Sequence, residues 1–357
     1  MQPPTWTITV LTIPGREDFL RRLLESLADA DLPTHTRFTV VYNRSIRDAL
    51  TRIEERFRSW APALDIDVFF NNRDPTISGG RNYQLNLVKT PLICFVDDDV
   101  TLHGDVFGLL ERTLRSVPVG IVGVPSVVAE SGAAFKPRDS TPHVDTPELR
   151  YMPVQGMLAA GYTALFHEIG GFSPLRRFWG EWTELNLRMW RNGFPTGYAM
   201  GGGHLRHWED APDSPTRSLE DRARHVLWGL VCTALEYDAT VLTSSTEPFW
   251  RLVEERYLAY SFGETLTPTE MLRALLAILP ELTDAMPAIT QQRKLAATHR
   301  FQFMPFHPIE AKDVQRVLSH ANSAIAAYRN EIWDSRSLAR RVVSKLWRLV
   351  RTRRRDP

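Results

Sequence analysis

The stretch "PLICFVDDDV" (residues 91–100) joins an apolar run of strand composition to three consecutive aspartates. Like charges this close repel one another, so a plain surface turn gains nothing from the third carboxylate. Aspartates two apart beyond a strand can turn toward one small volume, and their oxygens are the ligand type that Mg²⁺ and Mn²⁺ prefer. An acidic turn that caps a helix is the alternative, and the triplet alone does not separate the two interpretations.

The residues upstream of this stretch alternate between strand patterns and helix patterns. Apolar runs predict buried strands over 6–13, 37–42 and 64–71, and apolar residues at helical spacing predict helices over 16–30 and 46–60. Such alternation predicts an α/β fold with a mostly parallel sheet flanked by helices. Ligands of such sheets bind beyond the carboxyl ends of the strands, which is where the aspartate triplet stands.

Beyond about residue 215 the pattern changes to helices. Apolar residues at helical spacing predict four of them, over 218–237, 248–261, 268–282 and 309–329. The sequence "TPTE" (267–270) resembles a capping box with proline at the first helical position. We therefore expect an α/β domain over residues 1–215 and a helical C-terminal region over residues 216–357.

The composition of the chain limits the classes of function that it can have. A chain of 357 residues with 43% hydrophobic residues, 24% charged residues and a net charge of +1 is typical of a globular protein without a bulk nucleic-acid partner. Two cysteines, Cys94 and Cys232, form no disulfide framework. The first residues lack a basic segment followed by a long apolar core, and no apolar stretch reaches the roughly 18 residues of a membrane span. The expected location is the cytoplasm.

Four motifs in order over residues 6–208 resemble family 2 and related GT-A glycosyltransferases. They are "SGGRNYQLNLVKTPLICFVDDDV" (78–100), "GMLAAGYTALFHEIGGFSP" (156–174), "FWGEWTELNLRMWRNGF" (178–194) and "GHLRHW" (203–208). The resemblance implies the Rossmann-like GT-A fold, a nucleotide-diphosphate sugar as donor, and Mn²⁺ or Mg²⁺ as cofactor. The C-terminal helices lie outside it.

The resemblance implies a role for each aspartate of the triplet. Asp97 would contact the ribose of the donor, Asp98 would help to hold the loop, and Asp99 would ligate the metal. His207 matches the metal-binding histidine of the family, and His204 is the competing candidate. An ordinary surface or core histidine is the alternative for His207.

Further positions match the nucleotide-binding part of the family. Arg81 and Asn82 match an Arg-Asn pair beside the nucleotide, where an arginine suits a bidentate clamp on diphosphate; a surface ion pair is the alternative for Arg81. Thr12 and Pro14 match positions that line the base pocket. Asn43 in "VVYNRS" stands where relatives carry an aspartate that reads the nucleobase, so UDP-linked and GDP-linked donors both remain open.

The acidic segment departs from its relatives at the usual position of the base. Trp182 replaces the common aspartate, so Glu181 becomes the candidate base or acceptor ligand, with Glu184 one helical turn away as its neighbour. The alternative for Glu184 is an ion pair with Arg188. Because the segment also resembles one of retaining N-acetylgalactosaminyltransferases, stereochemistry stays open, with inversion preferred. Trp179 and Trp182 are candidates to stack on an acceptor sugar, or are core residues.

The C-terminal tail "SLARRVVSKLWRLVRTRRRDP" (337–357) has apolar residues on one helical face and basic residues on the rest. This pattern is typical of a basic amphipathic helix that docks through residues 337–355 on an anionic membrane surface. Such docking would be peripheral, at the inner face of the membrane, and would suit a lipid-linked acceptor; a glycan acceptor is equally open. A terminal helix packed on the protein is the alternative.

Three functions compete on this evidence. A metal-dependent glycosyltransferase explains all four motifs. A non-catalytic nucleotide-sugar or glycan-binding relative would explain why Trp182 and Asn43 replace expected aspartates. A sugar nucleotidyltransferase is disfavoured because "IPGRED" (13–18) lacks the Gly-rich, Lys-containing signature of that class.

Overall fold

The computed structural model describes residues 5–43, 50–128, 144–154, 156–208, 219–242, 267–305 and 309–333. The helix expected over 248–261 and the basic helix expected over 337–355 lie outside these residues.

The described chain contains a central sheet of nine strands in the order β3-β2-β1-β4-β10-β6-β11-β9-β8. Its strands are β1 (Trp6–Thr12), β2 (Arg37–Tyr42), β3 (Ile66–Phe70), β4 (Leu92–Asp97), β6 (Ile121–Gly123), β8 (Val144–Asp145), β9 (Leu149–Tyr151), β10 (Leu158–Tyr162) and β11 (Thr196–Ala199). Only β9 and β10 run against the others. The predicted mostly parallel α/β sheet is therefore confirmed.

A second, three-stranded sheet lies beside the aspartate triplet. It has the order β5-β12-β7, with β5 (Val100–Gly104), β7 (Ser126–Val128) and β12 (Gly203–His207). Strands β6 and β7 follow each other closely in the chain but belong to different sheets. Pro125 stands between them, and proline cannot donate a ladder hydrogen bond.

Helices cover the central sheet: α1 (Glu17–Ala28), α2 (Leu50–Trp60), α3 (Ile77–Leu87), α4 (Val106–Ser116), α5 (Thr163–Glu168) and α6 (Glu181–Arg191). Helix α1 shows why they form, since its four leucines recur at helical spacing and all are buried. The strands β1 and β4 are buried along almost their whole length because both faces of the sheet are covered.

The C-terminal part is helical, as predicted. It contains α7 (Leu219–Tyr237), a 3₁₀ turn (Ala239–Leu242), α8 (Pro268–Ala297) and α9 (Ala311–Trp333). The capping box of Thr267 and Glu270 is present. Helix α8 runs well past the predicted end at residue 282, through Pro280 and Pro287. Each proline removes one backbone hydrogen bond, and packing of α8 against α7 offsets that loss.

The C-terminal helices attach to the α/β region in two ways. Helices α7 and α8 form a small core of their own, whereas α9 packs on the main core. Arg329 of α9 donates hydrogen bonds to the carbonyl oxygens of Leu114 (3.2 Å) and Val117 (2.6 Å) at the end of α4. The division of the chain at residue 215 stays a prediction. None of the described helices is both long enough and apolar enough to cross a bilayer.

Candidate functional site

The topology of the sheet creates a crevice between β1 and β4. Strands β1, β2 and β3 follow one another toward one edge, and the chain then returns to place β4 on the other side of β1. Such a reversal of strand order is where open α/β sheets bind ligands, beyond the carboxyl ends of the strands. Leu11 of β1 is in register with Asp97 of β4, so the residues that follow both strands meet at this point.

The three aspartates point into this region with different partners. Asp97 forms an ion pair with Arg81 of α3. Asp98 accepts a hydrogen bond from the hydroxyl of Thr12 (2.6 Å), and its two oxygens share a bifurcated hydrogen bond from Nε of Arg16 (both 3.0 Å). Asp99 accepts a hydrogen bond from Nη2 of Arg16 at 2.7 Å. The triplet is therefore held by charged groups and is not an open surface turn.

The three-stranded sheet carries His207 to the triplet. His207 on β12 pairs with Val100 on β5, directly after the aspartates, and its Nε2 lies 3.7 Å from Oδ1 of Asp99. His204 pairs instead with His103, and the two rings stack with their centroids 5.2 Å apart. Of the two candidate histidines, His207 is the one beside Asp99.

The carboxyl groups of the triplet differ in acidity. Burial raises the pKa of Asp97 and raises that of Asp98 to about 6, with the guanidinium groups of Arg81 and Arg16 opposing the two shifts. Burial also acts on Asp99, but the adjacent imidazole of His207 and the charge of Arg16 outweigh it, so its pKa is lowered. Asp99 is thus ionised at neutral pH, as a metal ligand must be.

The residues at Asp99 fit a divalent cation. Oδ1 of Asp99 is buried and makes no hydrogen bond within the described structure, although it faces the imidazole of His207. An ionised oxygen and a ring nitrogen are suitable ligands for Mn²⁺. No group of three metal-binding side chains occurs among the described residues. The protein would therefore supply two ligands, and the remaining positions would fall to water or to a bound phosphate.

Arg81 lies inside the protein beneath the crevice. Its guanidinium is buried between the rings of Phe95 and Trp182, at 5.8 and 5.9 Å from their centroids, and it reaches Asp97 from there. Trp182 is itself buried, stacks edge-to-face on Phe172 at 5.0 Å, and leaves no space for a Cβ atom at Gly156. Trp182 thus occupies the core, the alternative considered for it above.

Two asparagines predicted to lie near the nucleotide use their amides to build loops. Asn82 accepts a hydrogen bond from the backbone N–H of Phe172 and donates one to its carbonyl oxygen, both at 2.8 Å. Asn43 donates to the carbonyl oxygens of Pro75 and Thr76 and accepts from Asn71 (2.7 Å). The contacts of both residues to a nucleotide stay predictions.

Glu181 is the first residue of α6, preceded by Gly180 with φ of 86°. Its side chain is buried, and its carboxylate makes no ion pair with another described residue. Burial raises the pKa of Glu181 to about 7, against the opposing charge of Arg81; the charge of Asp97 adds to the rise. A carboxyl group near neutrality is suited to act as a general base.

Glu184 has a different environment, although it is only one turn away. It accepts hydrogen bonds from Nε and Nη2 of Arg188 at 2.8 and 2.7 Å, and Tyr237 of α7 donates another. Burial is outweighed by Arg188, so the pKa of Glu184 is lowered. Arg188 also donates to the carbonyl oxygen of Gly171 (2.7 Å). Glu184 therefore forms the ion pair given as its alternative.

The segment before α6 is tied to the C-terminal helices. Arg176 is fully buried and pairs with Glu236 of α7, while its Nη2 donates to Thr233 at 2.9 Å. Trp179 is half-buried and packs against α7 at Gly229, and its stacking on an acceptor sugar stays a prediction. Pro14, by contrast, is exposed beyond β1.

Several residues of the site escaped the sequence analysis: Arg16, Asn71, Arg176, Glu236 and Tyr237. Arg16 was detectable in principle, because it follows the turn after β1 and the ends of β1 and β4 are neighbours in such a sheet. Asn71 carried a similar signal, since it follows β3. The partners on α7 gave none, because nothing in the sequence indicates which helix meets α6.

Comparisons with known proteins agree with this geometry. Residues 10–181 match the family model described as "Glycosyl transferase family 2". The resemblance to family 2 glycosyltransferases is confirmed. The family 2 match begins inside β1 and ends at Glu181, so it contains the crevice and the triplet. No curated protein sequence matches the chain.

Several solved structures are similar to this chain. The structure of GalNAc-T7 with UDP, GalNAc and Mn²⁺ has a TM-score of 0.50 and 15% sequence identity to this chain. The match covers 72% of this chain and 55% of GalNAc-T7, so this chain spans about half the length of GalNAc-T7. The mannosyltransferase PcManGT from Pyrobaculum calidifontis with GDP-Man and Mn²⁺ has a TM-score of 0.46 and 16% identity over 94% and 89% of the two chains. S. aureus TarS 1–349 with UDP-GlcNAc has a TM-score of 0.48 and 15% identity over 90% and 92%. The likeness to GalNAc-T7 is one of fold.

Proposed function

We propose that the protein is a glycosyltransferase that uses a nucleotide-diphosphate sugar, with Mn²⁺ or Mg²⁺ bound at Asp99 and His207. The observation that carries this proposal is that the aspartate triplet, which lies inside the family 2 match, meets His207 at the reversal point of the sheet. The Mn²⁺ and UDP named with the solved structure of GalNAc-T7, which has a similar fold, are in keeping with it.

The donor would lie in the crevice between β1 and β4, with its base toward Thr12, Pro14 and Asn43. Arg81 neutralises Asp97 from below and so leaves that carboxylate able to accept hydrogen bonds from a ribose. Asn82 acts indirectly in this proposal, by fixing the backbone at Phe172.

The chemistry requires stabilisation of the departing nucleoside diphosphate and removal of a proton from the acceptor hydroxyl. A bound divalent cation supplies Lewis-acid stabilisation of the leaving group. We assign proton removal to Glu181, because its pKa of about 7 suits a base and its carboxylate is not consumed by an ion pair. We assign Glu184 to positioning, since Arg188 and Tyr237 hold it. A base on the acceptor side favours inversion of the anomeric configuration.

Binding of donor nucleotides tests the proposal directly. Thermal unfolding is measured with UDP, GDP and their sugar conjugates, with and without Mn²⁺, because ligands that bind only the folded state raise its stability. We expect at least one nucleotide to raise the melting temperature only with Mn²⁺, and Asp99→Asn to abolish that rise. Asp67→Asn is the matched control, since Asp67 is exposed on β3 of the same sheet.

Product analysis distinguishes an enzyme from a binding protein. Catalysis is supported if the wild type slowly releases nucleoside diphosphate from the donor that raises its melting temperature, and if Asp99→Asn does not. Binding without release from any donor, with a range of glycan and lipid-linked acceptors present, would instead support the non-catalytic relative. NMR of the anomeric proton in the transferred sugar tests the assignment of inversion.

A further inference from the structure

Arg16 lies between the two carboxylates at the end of the triplet. Its Nε contacts both oxygens of Asp98 at 3.0 Å, and its Nη2 lies 2.9 Å from Oδ1 of Asp98 and 2.7 Å from Oδ2 of Asp99. Its guanidinium also lies over the ring of Phe19, 4.8 Å from the ring centroid. The arginine is therefore held in place from two sides, and only 16% of its side chain is exposed.

The charges around the triplet are not balanced. Three carboxylates face two guanidinium groups and the imidazole of His207, which carries a charge only when it is protonated: Arg81 serves Asp97, Arg16 is shared between Asp98 and Asp99, and His207 lies beside Asp99. Arg16 covers Oδ2 of Asp99, whereas the buried Oδ1 makes no hydrogen bond in the part of the chain that the structure describes. One further cation is thus attracted to Asp99, but it must bind next to a guanidinium that already contacts the same carboxylate.

We propose that Arg16 is a built-in competitor of the divalent cation at Asp99, an inference that rests on the proposed function. The arginine neutralises the acidic turn when no donor is bound, and its positive charge weakens binding of the free ion. The negative charge of a nucleoside diphosphate offsets this repulsion, so the ion binds tightly only together with the diphosphate. Arg16 is a positioning residue that makes ion and donor binding cooperative.

Titration of the protein with Mn²⁺ alone, followed by calorimetry or by the electron paramagnetic resonance of free Mn²⁺, tests the proposal without turnover. Arg16→Gln removes the charge and retains a hydrogen-bond donor, and we expect it to bind Mn²⁺ at least about tenfold more tightly than the wild type. Arg16→Lys keeps the charge, and we expect it to stay within about threefold. The factor by which UDP or GDP tightens Mn²⁺ binding should fall in Arg16→Gln alone.

A second pair of variants guards against a folding defect. Arg16→Gln leaves Asp98 as an unpaired carboxylate, so we also compare Asp98→Asn with the double variant Arg16→Gln/Asp98→Asn, in which the ion pair is removed as a unit. Tighter Mn²⁺ binding by the double variant than by Asp98→Asn supports the proposal, and equal or weaker binding overturns it. Thermal unfolding confirms that each variant is folded.

The outcomes separate this inference from the proposed function. Suppose that the wild type binds Mn²⁺ together with UDP or GDP, but that Arg16→Gln binds Mn²⁺ alone no more tightly than the wild type. Arg16 then does not compete with the ion, and the inference is wrong while the proposed function is unaffected. If neither protein binds Mn²⁺ under any of these conditions, the metal site falls too, and the inference with it.

Discussion

Replacement of Glu181 by glutamine should remove activity and at the same time stabilise the protein at alkaline pH. The pKa of Glu181 is about 7 in the folded protein, because its side chain is buried with only 7% exposed, against an ordinary value of 4.5. Between these values the folded state binds a proton that the unfolded state has released. Stability therefore falls as the pH rises from about 4.5 to 7.

The size of the effect follows from the same two values. A rise from 4.5 to about 7 corresponds to a loss of at most about 3 kcal/mol above pH 7, since one pH unit is worth about 1.4 kcal/mol. Glutamine is neutral at every pH and resembles the protonated acid. Glu181→Gln should therefore lie within about 1 kcal/mol of the wild type in stability at pH 5 and exceed it by up to about 3 kcal/mol at pH 8.

The activity of the wild type should rise as the pH rises, whereas its stability falls. If Glu181 must be ionised to accept a proton, turnover of the wild type at pH 6 should be about one-tenth of its alkaline plateau, and Glu181→Gln should lower the plateau about 10²- to 10⁴-fold. Urea unfolding at pH 5 and pH 8 and release of nucleoside diphosphate between pH 5.5 and 9 measure the two effects.

Glu184→Gln is the matched control, on the same helix and of the same chemistry. It breaks a buried ion pair and leaves the charge of Arg188 without its carboxylate, so it should destabilise the protein by about 3–5 kcal/mol at both pH values. A Glu181→Gln protein that is less stable than wild type at pH 8, or that keeps full activity, would refute the reasoning about Glu181.

Three further substitutions test other parts of the site. Asp99→Asn should remove the Mn²⁺-dependent rise in melting temperature with UDP or GDP and leave the unliganded melting temperature within a few degrees; loss of the rise in Asp67→Asn as well would count against a specific site. Gly171→Ala should cost about 1–3 kcal/mol in urea unfolding, because the residue has φ of 67° and a Cβ atom would meet Oδ1 of Asn82 at 2.6 Å; an unchanged midpoint would contradict this. Glu236→Gln leaves the fully buried Arg176 unpaired and should destabilise the protein by about 3–5 kcal/mol, which a lowered unfolding midpoint would reveal and an unchanged one would refute.

Much of the fold was readable because its signals are local. Strands buried on both faces appear as uninterrupted apolar runs, as in residues 92–96, and amphipathic helices appear as leucines at helical spacing, as in α1. The aspartate triplet could be located at a strand end from the order of residues alone. The two prolines of α8 misled the prediction of its end, because tertiary packing carries a helix through positions that local propensity disfavours.

The position of the site could be predicted from the sequence, but most contacts between its residues could not. Glu181 and Glu184 are the same residue type one helical turn apart on α6, and the local signal that distinguishes them is Arg188, which stands at i+4 from Glu184. Their pKa values diverge because Arg188 and Tyr237 reach Glu184 alone, and Tyr237 lies 53 residues away in sequence. Arg16 likewise meets Asp98 across 82 residues, a contact that exists only once β1 and β4 are neighbours.

The packing of α9 on the α/β core affects how the chain folds during its synthesis. A protein is synthesised from its N-terminus, and domains that are complete in sequence begin to fold before translation ends. The carbonyl oxygen of Leu114 receives its hydrogen bond from Arg329, 215 residues later, and the ring of Tyr162 stacks on Tyr328. The nascent sheet therefore emerges from the ribosome with one apolar flank uncovered, and it reaches its final packing only when residues 311–333 follow.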